Sequence, residues 1–508
     1  MKILLINPPT TSLKTPNEQL SLAYLASVLR REGHYVKIID FLIENRLEQD
    51  DIIKIIRSEK IELIGITIIV PLSVPFVKEL TKKIKEKNKK CFIFCGGYEP
   101  TLASKKILKD LPAIDGIIVG EGEITFKELV NKIDNNKEWK NVNGIYTKSN
   151  PFIKRKLIEK LNEIPFPARD YAPLILNKKM PLQIYSSRGC YNGCIFCSIY
   201  SFYNKQANSH NELWRARSAE NIVEEIEYLI EKYNIKCISF TDDNFLGPYP
   251  NGKKRAENFY TLLKEKNLDI SFRFACRMDN CLEDLMIKLK SVGLKQVLIG
   301  AESANQNILD FFNKKIKVKQ NFETVKMLKR IKIDMQLSFI WFTNSMTLEE
   351  LKENIKFVEI AGPENLYHPA NARLRYNEGT ILSTNIKSDS FFTNKYRDYK
   401  MGKIYYYMDK WVNDNRLLYK TLIRMRYDYW NLEEGVSIKV KRMYKIFRQK
   451  ELELIKILIR KCTNPKSLNG VFLSFVKINK NIIEELSKKS NKLMKSIQIP
   501  SNLIKLTK

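Results

Sequence analysis

The first third of the chain switches repeatedly between two spacings of apolar residues. Residues 2–7, 35–40, 63–69, 91–97 and 114–120 are short, continuous apolar runs rich in β-branched side chains, the pattern of strands buried on both faces. Between them, residues 19–32, 51–60 and 74–87 place their apolar positions at helical spacing, as do 124–133 after the last run. The alternation predicts a doubly wound parallel sheet over 1–135, with any ligand beyond the carboxyl ends of its strands. Those ends carry Asn7-Pro8-Pro9, Asp40, the loop from Thr67 to Ser73, Gly96-Gly97-Tyr98-Glu99-Pro100-Thr101 and Gly120-Glu121-Gly122-Glu123. Paired glycines let a planar ligand or a phosphate approach the backbone, although tight turns in an empty domain carry the same pattern.

Residues 136–181 lose the alternation and read as a linker, with Pro165 and Pro167 holding it extended. A second alternating series fills 182–378. Strands are expected at 182–187, 237–241, 270–276, 296–300, 335–342 and 367–375, with helices at 219–233, 253–266, 282–292, 321–331 and 348–360. Ser218 and Thr347 are the expected caps of two of those helices. The series predicts a partial (βα)6 barrel, with its chemistry at the strand carboxyl ends. Residues 379–508 read as a mainly helical, aromatic region without an assignable motif, and as a possible source of substrate contacts.

Composition narrows the function classes. The formal net charge is +30, but the lysines are spread along the whole chain and no arginine-rich block alternates with aromatics. Solvated helix faces explain that charge, so a nucleic-acid partner is not expected. The longest apolar stretch, 61–77, is interrupted by Glu62, Pro71 and Pro75 and is too broken to span a bilayer. The first residues do not form a signal peptide, so a cytoplasmic location with reduced thiols is expected for the nine cysteines.

Three of those cysteines fall within eight residues, Cys190-Tyr191-Asn192-Gly193-Cys194-Ile195-Phe196-Cys197, directly after a strand. Three thiolates can hold three irons of a cubane cluster and leave the fourth open. Gly189 and Gly193 supply backbone freedom for the turn, and Phe196 shields the cluster from water. A tetrahedral zinc site completed by His210 is the alternative set, although structural zinc usually shows paired CxxC hooks.

This motif and the barrel strand before it resemble the radical S-adenosylmethionine superfamily. The order of domains resembles its cobalamin-binding, methyltransferase-like subgroup, over roughly residues 1–380. The resemblance implies a 4Fe–4S cluster on Cys190, Cys194 and Cys197, S-adenosyl-L-methionine on its open iron, and a 5′-deoxyadenosyl radical. It implies S-adenosylmethionine contacts from Phe196, Asp242, Asp243, Arg277, Glu302 and Ser303, with Glu302 and Arg277 the candidates for the ribose and carboxylate. It further implies cobalamin contacts from Asn7, Pro8, Thr67, Gly96, Gly97, Glu99, Thr101, Gly120, Glu121 and Gly122. Capping by Asp242 and Asp243, and an ion pair at Glu302, are the structural alternatives. Two departures stand out. Glu99 occupies a position where relatives often carry histidine, and residues 339–343 lack the usual glycine and proline. No DxHxxG motif is present, so no lower histidine ligand to cobalt is expected.

The reading that follows is a cobalamin-dependent methyltransferase acting on an unactivated carbon of a natural-product, peptide or lipid substrate. The expected reductant is flavodoxin or ferredoxin. A radical rearrangement or cyclisation enzyme of the same architecture is the alternative. A tRNA-modifying enzyme ranks lower, because the first domain holds only Cys91 and Cys95 and lacks a second three-cysteine set. A zinc-stabilised binding module without catalysis is the reading from another class, and iron and sulfide analysis separates it from the rest. Replacing Cys194 by alanine is expected to abolish reductive cleavage of S-adenosylmethionine while the protein still folds. Normal cleavage by that variant would overturn the cluster assignment.

Overall fold

The computed structural model describes residues 1–10, 17–44, 47–150, 152–385, 396–464 and 467–497. Strands β1 (Lys2–Asn7), β2 (Tyr35–Asp40), β3 (Leu63–Thr67), β4 (Phe92–Gly96) and β5 (Gly116–Ile118) pair in parallel in the order β2-β1-β3-β4-β5. Strand order therefore reverses between β1 and β3, and the crevice outside their carboxyl ends begins at Asn7 and Thr67. Helices Leu20–Arg31 and Glu123–Asp134 cover one face through Leu22, Ala26, Leu29, Phe126 and Leu129. Helices Gln49–Ser58, Val74–Lys87 and Ser104–Asp110 cover the other through Ile52, Ile56, Leu80, Ile84 and Ile107.

The segment read as a linker contributes structure of its own. β6 (Ile145–Tyr146) adds to β5 antiparallel, and helix Ala172–Asn177 packs into the second core through Ala172 and Ile175. A two-residue strand has too short a pattern to be seen in sequence.

β7 (Leu182–Ile184) begins the second sheet. β8 (Ser187–Gly189) and β9 (Trp214–Ala216) form a separate antiparallel pair beside it. β10 (Cys237–Phe240), β11 (Ser271–Arg277), β12 (Leu294–Glu302) and β13 (Asp334–Phe339) complete a parallel sheet in the order β13-β12-β11-β10-β7. The sixth position is taken by the chain after residue 365, joined through single parallel bridges, Leu337 with Leu366 and Phe342 with Arg373. Phe272 and Phe274 of β11 point outward into an aromatic cluster with Phe240, Phe245 and Phe259, and Phe245 stacks on Phe274 at 4.5 Å. Each such ring removed from water contributes about 1.5–3 kcal/mol. Ser218 and Thr347 cap their helices as expected, accepting from Asn221 and Glu350 backbone N–H groups.

The π turn at Arg424–Asp428 and helix Glu434–Lys461 close the amino-terminal side of the barrel, and helix Leu468–Ser496 packs beside them. Helix Tyr399–Asp414 reaches the strand carboxyl ends, where Tyr405 lies edge-on to Phe342 at 5.4 Å. Arg426 grips Asp334, the first residue of β13, at 2.5 and 2.6 Å, and Tyr444 donates to the Leu366 carbonyl at 2.8 Å. Among the described residues no helix is long and apolar enough to cross a membrane.

Buried charges join the two sheets. Arg188 of β8 pairs with Glu121 at 3.0 Å and Glu123 at 2.5 Å, both from the turn after β5, and Arg215 of β9 pairs with Glu121 at 2.8 Å. A second set runs from Glu18 through Arg169 (2.5 Å) to Glu225 (2.7 Å) and Arg217. Burial opposes ionisation of Glu121, but Arg188 and Arg215 outweigh it and hold its carboxyl below the ordinary range. Its contribution to stability is therefore full above the ordinary carboxylate pKa and lost as pH falls through the lower, folded value. Removing one partner leaves unpaired buried charge, so Arg188→Met is expected to cost about 3–5 kcal/mol. Lys106→Ala, which breaks the exposed pair with Glu378, is expected to cost about 0–1 kcal/mol. Anaerobic thermal unfolding of the two variants side by side measures the difference, and equal midpoints would contradict it.

Candidate active site and cofactor cavities

The cysteine loop leaves β8 through Gly189, whose φ of +81° and packing both demand glycine. A Cβ there would lie 2.0 Å from the Leu213 carbonyl. Gly193, expected to supply the same freedom, does not adopt a positive φ. Asp242 accepts from the backbone N–H of Ser186 (2.7 Å) and Ser187 (3.0 Å) and from the Ser186 hydroxyl. Asp243 accepts from the Gly189 N–H at 3.0 Å, and burial pushes its carboxyl up to about 7. Both aspartates, expected beside S-adenosylmethionine, thus anchor the strand that delivers the cysteines, and neither is among the residues lining the two cavities beside the loop.

Cys194 is buried, and Cys190 and Cys197 are half-buried. Burial is the main force raising the Cys190 and Cys197 thiols, the latter to about 12, and the neighbouring cysteine sulfurs add to it by repulsion. Cys190 and Cys197 can ionise together only where metal cations take up the charge. Several groups already favour the anionic form. Asn192 donates to the Cys194 sulfur at 2.9 Å, backbone N–H groups of Ile199 and Tyr200 face Cys197, and the charges of Arg277 and Lys314 face Cys190. His210, the residue needed for a Cys3His zinc set, is exposed, with its ring 6.4 Å from that of Tyr200. Among the described residues no three His, Cys, Asp or Glu side chains close on one ion position. Three cysteines in one loop with no imidazole beside them are a donor set that fits a cubane cluster better than a Cys3His zinc site.

Two cavities flank this loop. The first, about 540 Å³, opens at the carboxyl ends of β1, β3, β4 and β5 and runs into the barrel lumen. Asn7, Pro8, Thr67, Gly96, Gly97, Gly120, Glu121 and Gly122 line it, as expected positions for a large ligand. Gly97, at φ +100°, passes so close to the Ile68 carbonyl that a Cβ would sit 2.9 Å from it. Glu99 and Thr101 do not line the cavity. Thr101 instead accepts from the Gly120 N–H at 2.9 Å, tying the two glycine turns together, and Tyr98 takes the wall position expected of Glu99. Tyr98 packs on Phe202 at 4.7 Å, and Phe202 and Tyr203 belong to helix Ser198–Asn204, which starts at Cys197. That helix is thus a shared wall between cavity and cysteines. The three histidines of the chain, His34, His210 and His368, all lie outside this lining.

The second cavity, about 760 Å³, is lined by Phe196, Glu302, Ser338, His368, Arg373 and Tyr405 among others. Phe196 stands edge-on to Phe312 at 5.0 Å. Glu302 follows a register shift in β12 and holds φ +59°, an uncommon conformation for a non-glycine residue. Its carboxylate pairs with Lys314 at 3.0 Å, so the ion-pair alternative for Glu302 is present and its side chain still faces the cavity. Arg277 is forked onto Asp279 at 2.9 Å and lies over the Tyr191 ring, with the charge of Cys190 nearby. Ser303 turns away into the core, bonding Asn354 at 3.1 Å. Burial pulls His368 down to about 4, keeping it neutral near neutrality.

Comparisons with known proteins agree with this geometry. The family model of the B12 binding domain matches residues 8–130, and that of the Radical SAM superfamily matches residues 184–358. An uncharacterized methyltransferase of Pyrococcus horikoshii is 36% identical over 372 residues, spanning 71% of this chain and 78% of that protein. An anaerobic magnesium-protoporphyrin IX monomethyl ester cyclase of Rubrivivax gelatinosus is 27% identical over 359 residues, spanning 68% of this chain and 62% of that protein. The solved structure of the cobalamin-dependent S-adenosylmethionine radical enzyme OxsB, with aqua-cobalamin and S-adenosylmethionine bound, shares the fold. It matches with a TM-score of 0.76 over 99% of this chain and 80% of that one, at 19% identity. A barrel with a three-cysteine loop, set against a sheet whose strand ends form an open crevice, belongs to one lineage: the chain is a member of the radical S-adenosylmethionine superfamily, in the branch that carries a cobalamin-binding domain before the barrel.

Proposed function

We propose that this chain is a cobalamin-dependent radical S-adenosylmethionine methyltransferase acting on an unactivated carbon of a small molecule. The observation that carries the proposal is the shared wall: helix Ser198–Asn204 begins at Cys197 and presents Phe202 and Tyr203 to the cavity at the first sheet. When bound, the cluster supplies the electron that cleaves S-adenosylmethionine to a 5′-deoxyadenosyl radical, and cobalamin supplies a carrier for the methyl group.

The chain's own residues bind, orient and exclude water. Cys190, Cys194 and Cys197 would hold the cluster, and Phe196, packed on Phe312, would shield it from water. Phe196 and Glu302, which line the second cavity, would hold S-adenosylmethionine, with Lys314 fixing the Glu302 carboxylate. Arg277, committed to Asp279 and lining neither cavity, places its charge beside Cys190. Asn7, Pro8, Thr67 and the glycines at 96, 97, 120 and 122 would receive cobalamin on backbone and small side chains. The Glu121 carboxylate is committed to Arg188, Arg215 and the Ile158 N–H, so Glu121 would contribute there by its backbone. Among the described residues no histidine lines that cavity. A reductant such as flavodoxin or ferredoxin would supply the electron.

Anaerobic purification with added cobalamin is expected to yield protein retaining about one corrinoid per chain by absorption, alongside iron and sulfide. Reduced enzyme with S-adenosylmethionine should then release both 5′-deoxyadenosine and S-adenosylhomocysteine, the latter only when cobalamin is present. A protein that makes 5′-deoxyadenosine alone, with and without corrinoid, would transfer no methyl group and would move the assignment to radical rearrangement or cyclisation.

A further inference from the structure

The barrel interior carries a row of polar side chains where branched aliphatic residues usually pack. Gln183 of β7 stands in register with Ser239 of β10, Ser239 with Arg273 of β11, Arg273 with Gln296 of β12, and Gln296 with Asp334 of β13. The row lies near the amino ends of the strands, below the cysteine loop and the cavity mouth.

Its hydrogen bonds run in one sense. Arg426 and Lys441 both pair with Asp334, and Gln296 donates to the same carboxylate at 2.9 Å. That turns the Gln296 oxygen toward Arg273, whose Nη1 donates to it at 3.3 Å and also to the Tyr427 carbonyl. Arg273 Nε donates to Ser239 Oγ at 2.8 Å. Among the described residues Arg273 Nη2 has no acceptor, and the side-chain amides of Gln183 and Gln336 make no hydrogen bond. None of the three groups is sealed from the cavity, and all three residues line it. Asp428 lines the same cavity and is the main charge opposing burial at Arg273, yet burial still lowers the guanidinium pKa. A guanidinium donates and never accepts, so an open Nη group in a low-dielectric lumen is matched best by an anionic oxygen.

We propose that this row is a substrate subsite in which Arg273 Nη2 and the amides of Gln183 and Gln336 bind an oxyanion, a carboxylate or a phosphate, at one end of the substrate. The inference rests on the proposed function, because it takes the lumen as the place where substrate lies. Anchored there by its charged end, the substrate extends along the continuous cavity toward the wall shared with the cysteine loop. Arg273 and the two glutamines thus select a substrate class and set its depth.

The test titrates the anaerobic holoenzyme with inorganic phosphate, with propionate, and with propionamide as the uncharged control, at ionic strength held constant with chloride. Thermal unfolding is the readout. A saturable rise in midpoint is expected with phosphate for a phosphorylated substrate, or with propionate for a carboxylate, and none with propionamide. Gln183→Leu with Gln336→Leu breaks no hydrogen bond within the protein and should weaken the effective anion by about tenfold. Arg273→Gln should abolish the response. An equal response to propionamide, no saturable response to either anion, or an unchanged titration in the double-leucine variant would overturn the subsite. A corrinoid side-chain amide filling the row would give the second of these results. Loss of iron or cobalamin on purification counts against the proposed function alone, since the titration reads the lumen in either case.

Discussion

Glu121 and Glu123 leave the first sheet together on the turn after β5, and both end on Arg188, two residues before the first cysteine of the loop. The rest of the site depends on that meeting of buried charges. Arg188 cannot withdraw without leaving two carboxylates unpaired in the interior, and the carboxylates cannot withdraw without stranding Arg188 and Arg215. β8 is therefore held against the first sheet by one set of groups and against the barrel by Asp242 and Asp243. The loop that follows inherits its position from both domains at once.

The consequence is an active region with two mouths and one shared wall. Cluster ligands and the strand-end crevice are separated by the single short helix Ser198–Asn204, whose first turn faces the sulfurs and whose later aromatics face the crevice. Tyr98, supplied by the first domain, packs against Phe202 and senses the charge of Cys197. The lumen continues from this junction to the polar row around Arg273, closed beneath by the π turn of the carboxyl-terminal helices. Those helices thus reach the lumen, because Arg426 and Lys441 neutralise Asp334 while Asp428 of the π turn faces Arg273 from the cavity wall.

Much of this architecture is legible in the order of the amino acids. The doubly wound sheet, the barrel series and the three-cysteine motif each carry a local signature: a period, a cap or a spacing. Glycine turns at 96–97 and 120–122 lie in the crevice wall, where close backbone approach needs glycine whatever the ligand. The residues whose partners the sequence did not show share a different property. Asp242, Asp243 and Ser303 sit at strand ends like ligand-binding groups, yet their partners, Ser186, Gly189 and Asn354, are remote in sequence, and no local pattern reveals which carboxylate will be consumed in holding the fold. Glu99 loses its expected place to Tyr98 because one residue of rotation at the start of a helix decides which side chain faces the cavity. Arg188 stands in plain view beside the motif, but its meaning lies in two glutamates more than sixty residues away. Arg273 is hidden inside a strand-like run, where alternation shows which face a residue occupies but not whether that face is solvent, core or lumen.

The cysteine loop and the strand-end crevice are two sides of one helix, which would set cluster and corrinoid close enough to act on one substrate. Electron paramagnetic resonance of protein carrying both groups measures this directly. With cobalamin in the cob(II)alamin state, reduction of the cluster should split or broaden the cobalt signal and speed its relaxation, through coupling between neighbouring spins. A cobalt signal unchanged by cluster reduction, in protein shown to contain both, would place the two groups too far apart and contradict the arrangement.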